Sequence, residues 1–69
     1  SVTVVAPDGT TADALETTAY MMGREEGLAW IDSIPGAAAV YTREEGGAVR
    51  RYESKRFKDV PRATPRPAP

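Results

Sequence analysis

A chain of 69 residues with neither cysteine nor histidine has no disulfide or zinc to staple a small fold together. At this length one domain is the most that fits, and folding buries only about 60% of the surface that the unfolded chain exposes. The same absence removes thiol redox pairs, cysteine nucleophiles and histidine-based triads from the chemistry this chain can supply. Any metal site must be built from oxygen, which selects hard cations such as Mg²⁺ or Ca²⁺.

Proline and glycine then divide the chain. Val2-Thr3-Val4-Val5 is β-branched throughout and runs into Pro7-Asp8-Gly9, so residues 2–6 read as a strand with a turn at its exit. Thr10 or Thr11 is the expected N-cap of a helix that has no Gly or Pro from Ala12 to Met22 and closes on Gly23. A second helix is expected from Arg24 or Glu25 to Ser33 or Ile34, with Leu28, Ile31 and Ile34 on one side. Gly27 inside it costs about 1 kcal/mol against Ala. Pro35-Gly36 ends it. Ala38–Thr42 and Ala48–Tyr52 read as paired strands around a hairpin loop, Arg43-Glu44-Glu45-Gly46-Gly47. The fold class is therefore α+β, in the order strand, helix, helix, hairpin. The boundaries are residues 1–58 for this segment and 59–69 for a tail. Four of the six prolines fall in 61–69, which predicts an extended or disordered tail.

Charge is uneven. Residues 1–48 hold two basic and eight acidic side chains, and residues 49–69 hold seven basic and two acidic. The tail is either a solvated counterweight or a basic segment for an anionic partner. A net charge of −1 gives no case for nucleic acid or membrane, and no nucleic-acid partner is expected. No signal peptide or membrane-spanning run is visible. Without an initiator Met, the chain reads as a processed product, a fragment or a partial piece of something longer.

On a helical wheel, Leu15, Ala19 and Met22 form a core stripe, while Asp13, Thr17, Tyr20 and Met21 lie opposite. Only Glu16 is plainly solvent-directed. A helix apolar on nearly all sides is a buried one, so further chain or another subunit is expected to pack there.

Asp13 and Thr17 are four residues apart and so share one helix face. A carboxylate and a hydroxyl pointing the same way can hold Mg²⁺ when carbonyls, water or substrate phosphates complete the shell. The plainer alternatives stay open: Asp13 as a first-turn charge, and Thr17 bonded to its own i−4 carbonyl. Glu25-Glu26 and Glu44-Glu45 resemble acid–base pairs but sit beside helix-start and loop signals. Pro7-Asp8-Gly9 lacks the glycines and lysine of a phosphate cradle. Tyr41 and Tyr52 fit a cross-strand pair better than a stacking platform, and Trp30 fits a core or interface.

Ser1-Val2-Thr3-Val4-Val5-Ala6-Pro7 followed by Ala12-Asp13-Ala14-Leu15, Thr17 and Gly23 resembles the C-terminal part of the FAD:protein FMN transferase family, the ApbE family, also labelled thiamine biosynthesis lipoproteins. The similarity runs more loosely through Gly27-Leu28-Ala29 and Pro35-Gly36 to Ser54-Lys55-Arg56-Phe57, a Ser-x-x-Phe ending. It implies a larger T-fold-like α+β body, of which this segment is a part. It also implies that Asp13 and Thr17 are ligands of a divalent cation, Mg²⁺ as a rule, that holds the FAD pyrophosphate. The implied reaction moves FMN from FAD to a Thr or Ser hydroxyl of a target protein. The implied partners are the rest of the transferase or a companion chain, FAD, a flavin-acceptor protein, and a second copy in a homodimer. The implied location is membrane-anchored or periplasmic. Glu16 and Thr18 stand where small residues are common. The FAD-binding body, its histidine segment and the lipoprotein cysteine are not among these residues, so the 69 residues alone are expected to be inactive. A non-enzymatic, stand-alone or dimerising module is the alternative.

Overall fold

The computed structural model describes residues 1–60; the Pro/Arg-rich stretch expected to be extended, 61–69, lies outside the described residues. In chain order the elements are β1 (Val2–Val5), α1 (Gly9–Met22), α2 (Arg24–Asp32), β2 (Ala38–Glu45), β3 (Ala48–Glu53) and a short 3-10 turn over Phe57–Asp59. The strands form one antiparallel sheet in the order β1-β2-β3, giving an α+β segment.

α1 begins three residues earlier than its sequence suggests. Asp8, not Thr10 or Thr11, is the N-cap: its backbone is extended, and its carboxylate accepts from the Thr11 N–H at 2.8 Å and the Thr11 hydroxyl at 2.9 Å. The Pro-Asp-Gly signal is therefore the start of the helix as well as the end of the strand, and Asp13 sits in the second turn, not the first. The two Thr11 bonds hold the Asp8 carboxyl below the usual carboxylate range. Gly23, with φ +85°, ends α1 and caps α2, so the two helices are separated by a single residue.

The hairpin is also tighter than expected. β2 and β3 pair to Glu45↔Ala48, leaving a two-residue turn of Gly46 and Gly47. Both have positive φ, 58° and 81°, which is the backbone a twisted two-residue hairpin demands. Arg43, Glu44 and Glu45 therefore belong to the strand.

The helices cover one face of the sheet. Val2, Val4, Ala39 and Tyr41 point to them and pack with Ala19, Ile31 and Ala37, and with partly buried Leu15, Leu28, Trp30, Ile34 and Tyr52. Ile31 is fully buried, with Leu28 and Ile34 beside it, as their spacing predicts. The core is made of small residues, and Tyr41 fills what they leave. Its hydroxyl donates to the Ala19 carbonyl at 2.6 Å, in the last turn of α1.

Ser54 closes the sheet. Its N–H donates to the Ala39 carbonyl, and its hydroxyl accepts from the Ala39 N–H, both at 2.8 Å. The Ser54 carbonyl is turned away to accept from the Phe57 N–H at 3.1 Å. The side chain thus replaces a ladder carbonyl while the backbone starts the 3-10 turn, which gives the Ser-x-x-Phe ending a structural role. The neighbouring Arg56 guanidinium donates to the carbonyls of Ile34 and Ala37 at 3.0 Å and of Asp32 at 3.1 Å, gathering the frayed end of α2.

Candidate metal centre

α1 is held on its inner side by Ala19, buried completely, and by Leu15. That fixes the outer stripe. Asp13 and Thr17 both lie on it, and both are exposed. The Thr17 hydroxyl donates to the Asp13 carbonyl at 3.2 Å, the i−4 bond that mid-helix threonines commonly make. This bond does not compete with a ligand role. The hydroxyl proton is spent on the helix backbone, and the oxygen keeps its acceptor capacity. Among the described residues, no hydrogen bond or ion pair engages the Asp13 carboxylate.

Two oxygens on one helical stripe would supply two of the roughly six ligands that a hard cation such as Mg²⁺ takes. Among the described residues, no three Asp or Glu side chains gather into a cluster that could hold a metal alone. The pair suits a cation that keeps water and borrows substrate oxygen, as Mg²⁺ does, and is too sparse for an all-protein Ca²⁺ cage. The donor set fits the former and leaves most of the coordination shell to other groups.

A groove of about 360 Å³ adjoins Thr17, lined by Ser1, Val2, Glu16, Thr17 and Tyr20. Tyr20 lies one turn beyond Thr17 and is 70% exposed; Met21 is 81% exposed. Glu16 is half-buried, not the plainly solvated residue of the wheel. Thr18 takes its own back-bond to Ala14 at 3.3 Å. A wider cleft of about 500 Å³ opens at the α1–α2 junction, beside Gly23, Arg24, Tyr41 and Tyr52.

The other sequence candidates are placed apart from this face. Glu25 and Glu26 are exposed in the first turn of α2, where carboxylates complement the helix dipole. Glu45 accepts from the Tyr52 hydroxyl at 3.0 Å, and Glu44 points to the opposite side of β2. The Asp8 carboxylate occupies the helix start that a phosphate would need. Tyr41 and Tyr52 are direct cross-strand partners facing the helices, with the Arg24 guanidinium 4.0 Å above the Tyr52 ring, so they offer no open stacking surface. The Ser-x-x-Phe ending names Ser54 and spans Arg56 without giving either a role; their polar atoms are spent on backbone groups far away in sequence. The Ser-x-x-Phe spacing was the available signal for Ser54.

No helix among the described residues is long and apolar enough to cross a membrane. A family model described as the ApbE family matches residues 1–41, which takes in β1, both helices and the first part of β2. Among the curated proteins and the solved structures, nothing matches.

Proposed function

Because the chain belongs to the ApbE family, we propose that it forms the C-terminal part of a Mg²⁺-dependent FAD:protein FMN transferase, with Asp13 and Thr17 as its metal ligands. The observation that carries this reading is the outward-facing pair of oxygens on α1, inside the matched region. Family membership supports flavin transfer as the chemistry. The reaction would move FMN from FAD to a Thr or Ser hydroxyl of an acceptor protein, with AMP leaving. A divalent cation bound there supplies the electrophile that neutralises pyrophosphate charge as AMP departs. Asp13 would contribute the anionic ligand, and Thr17 a neutral hydroxyl oxygen one turn along the same helix face. Glu16 and Thr18, beside the pair, tune its affinity. The FAD-binding body would come from chain outside these residues, placed outside the cytoplasm as in the family.

The test is a Mg²⁺ titration of FMN transfer in a complete transferase carrying this segment, comparing wild type with Asp13→Ala and Thr17→Val. Removing a ligand from an electrophilic metal costs several kcal/mol, so transfer should fall at least about 100-fold. Circular dichroism should stay unchanged, because Asp13 and Thr17 are exposed. Unaltered transfer at limiting Mg²⁺ would overturn the assignment. The 69 residues alone are expected to bind FAD poorly; tight stoichiometric quenching of flavin fluorescence would contradict that.

A further inference from the structure

α1 is joined to the rest of the fold mostly by contacts that have no direction. Half-buried Leu15 and fully buried Ala19 set it on the sheet through apolar packing, which holds a distance but not an angle. One contact is of another kind. Among the described residues, the bond from the Tyr41 hydroxyl to the Ala19 carbonyl, at 2.6 Å, is the one hydrogen bond between α1 and another element. The bonds of Asp8, Thr17 and Thr18 are all local to the helix. Tyr41 reaches that carbonyl through the gap at Gly27, where a Cβ would overlap the hydroxyl. Its own place is set by the central strand, where it pairs with Val2 on one side and Tyr52 on the other. A hydrogen bond constrains angle as well as distance.

We propose that Tyr41 is the positioning residue of the cation site: by tying Ala19 it fixes the rotation of α1 about its own axis, and so the direction in which Asp13 and Thr17 are presented. The proposal rests on the reading of those two residues as ligands. α1 has no Gly or Pro from Thr10 to Met22, so it turns as one body. Ala19 faces inward and the pair outward, so any rotation at the tie is carried to the ligands. A side-chain group about 6 Å from the axis moves by about 1 Å for a rotation of about 10°. Mg²⁺ demands near-ideal octahedral geometry, whereas Ca²⁺ accepts irregular shells. Loss of the tie therefore penalises Mg²⁺ more than Ca²⁺. Chain outside these residues can add contacts at exposed Tyr20 and Met21, but it does not replace a bond made on the inner side, where Ala19 is fully buried.

The test is a calorimetric titration of Mg²⁺, and separately of Ca²⁺, into a complete transferase carrying this segment, with FAD present and no acceptor protein, so that binding is read and not transfer. Tyr41→Phe keeps the ring and removes the tie. It should weaken Mg²⁺ at least about fivefold and Ca²⁺ less, lowering the ratio of the two affinities. Gly27→Ala, which pushes the hydroxyl off the carbonyl, should lower that ratio as well. Ser54→Ala weakens the sheet away from α1 and should keep the ratio, which separates positioning from general stability. Asp13→Ala should weaken both cations. If Asp13→Ala binds both as wild type does, the ligand assignment falls and this proposal with it. If Asp13→Ala weakens them while Tyr41→Phe or Gly27→Ala keeps the wild-type ratio, or if Ser54→Ala lowers it too, the positioning role alone is overturned.

Discussion

Tyr41 occupies the space that a side chain at position 27 would need. A Cβ built on Gly27 overlaps the Tyr41 hydroxyl, approaches its Cζ to 2.8 Å and the Ala19 carbonyl to 3.0 Å. The glycine that weakens α2 as a helix is what lets the Tyr41 hydroxyl reach Ala19 and tie α1, α2 and β2 together. In an exposed helix, Gly→Ala gains up to about 1 kcal/mol. Here Gly27→Ala should lose about 1–3 kcal/mol by overpacking. Tyr41→Phe removes the worst overlap, so Gly27→Ala should cost less in that background. A double-mutant cycle read by thermal or urea denaturation measures the coupling, and additive costs would contradict the packing argument.

The same tyrosine sets an alkaline limit. Burial pushes the Tyr41 hydroxyl above its ordinary value. A group whose folded pKa is raised contributes stability that is complete below the unfolded value, about 10, and is lost as pH rises through the folded one. Wild type should therefore lose stability at the alkaline end, and Tyr41→Phe should lose less over the same range. Parallel alkaline titrations followed by circular dichroism check this.

Asp8 works in the opposite direction. Its carboxyl is held low by the Thr11 N–H and hydroxyl. The stability it contributes is present above the unfolded value, about 3.9, and is lost as pH falls through the lower folded value. Asp8→Ala should destabilise the chain at neutral pH and flatten the acid limb of its stability profile. Asp8→Asn should keep the cap but also flatten that limb. An unchanged acid limb in both variants would remove Asp8 from the pH response.

The contrast between Asp8 and Asp13 shows what could be read from sequence. The Asp13–Thr17 pair follows from helical spacing alone, and shifting the helix start to Gly9 leaves it on one face. The helix start was missed because Pro-Asp-Gly serves a turn and a cap equally well, and only the extended backbone of Asp8 decides between them. The strand, both helices and the Tyr41–Tyr52 pair were legible from period and punctuation. Gly27 was not, because its reason is a tyrosine fourteen positions later on another element. The groove beside Thr17 was hidden for the same reason: Val2 and Tyr20 meet only when β1 lies under α1.

Ser54 is a further long-range contact with a local signature. Its hydroxyl is the acceptor for the Ala39 N–H on the central strand, where Ala39 is fully buried. Ser54→Ala leaves that donor unpaired and should cost about 1–3 kcal/mol. Native-state hydrogen exchange provides a sharper reading, since the Ala39 amide should lose protection while Tyr41, two residues along the same strand edge, keeps it. Equal loss at both positions would mean that the serine acts only through general stability.

Arg56 joins the end of α2 to the start of the 3-10 turn through three carbonyls at 3.0–3.1 Å. Asp32 reinforces the joint by accepting the Lys55 N–H at 2.8 Å. Three acceptors in different directions require the planar fork of a guanidinium. An ammonium on a shorter reach satisfies one or two of them. Arg56→Ala should cost about 1.5–3 kcal/mol, the range for hydrogen bonds to a charged donor. Arg56→Lys should recover less than half of it, although the charge near the helix C-terminus is restored. Full recovery by lysine would show that the dipole alone is served, because that interaction needs only a positive charge near the last turn and no particular geometry. Chemical denaturation of the three proteins under matched salt, with a salt series to screen the dipole contribution, separates the two accounts.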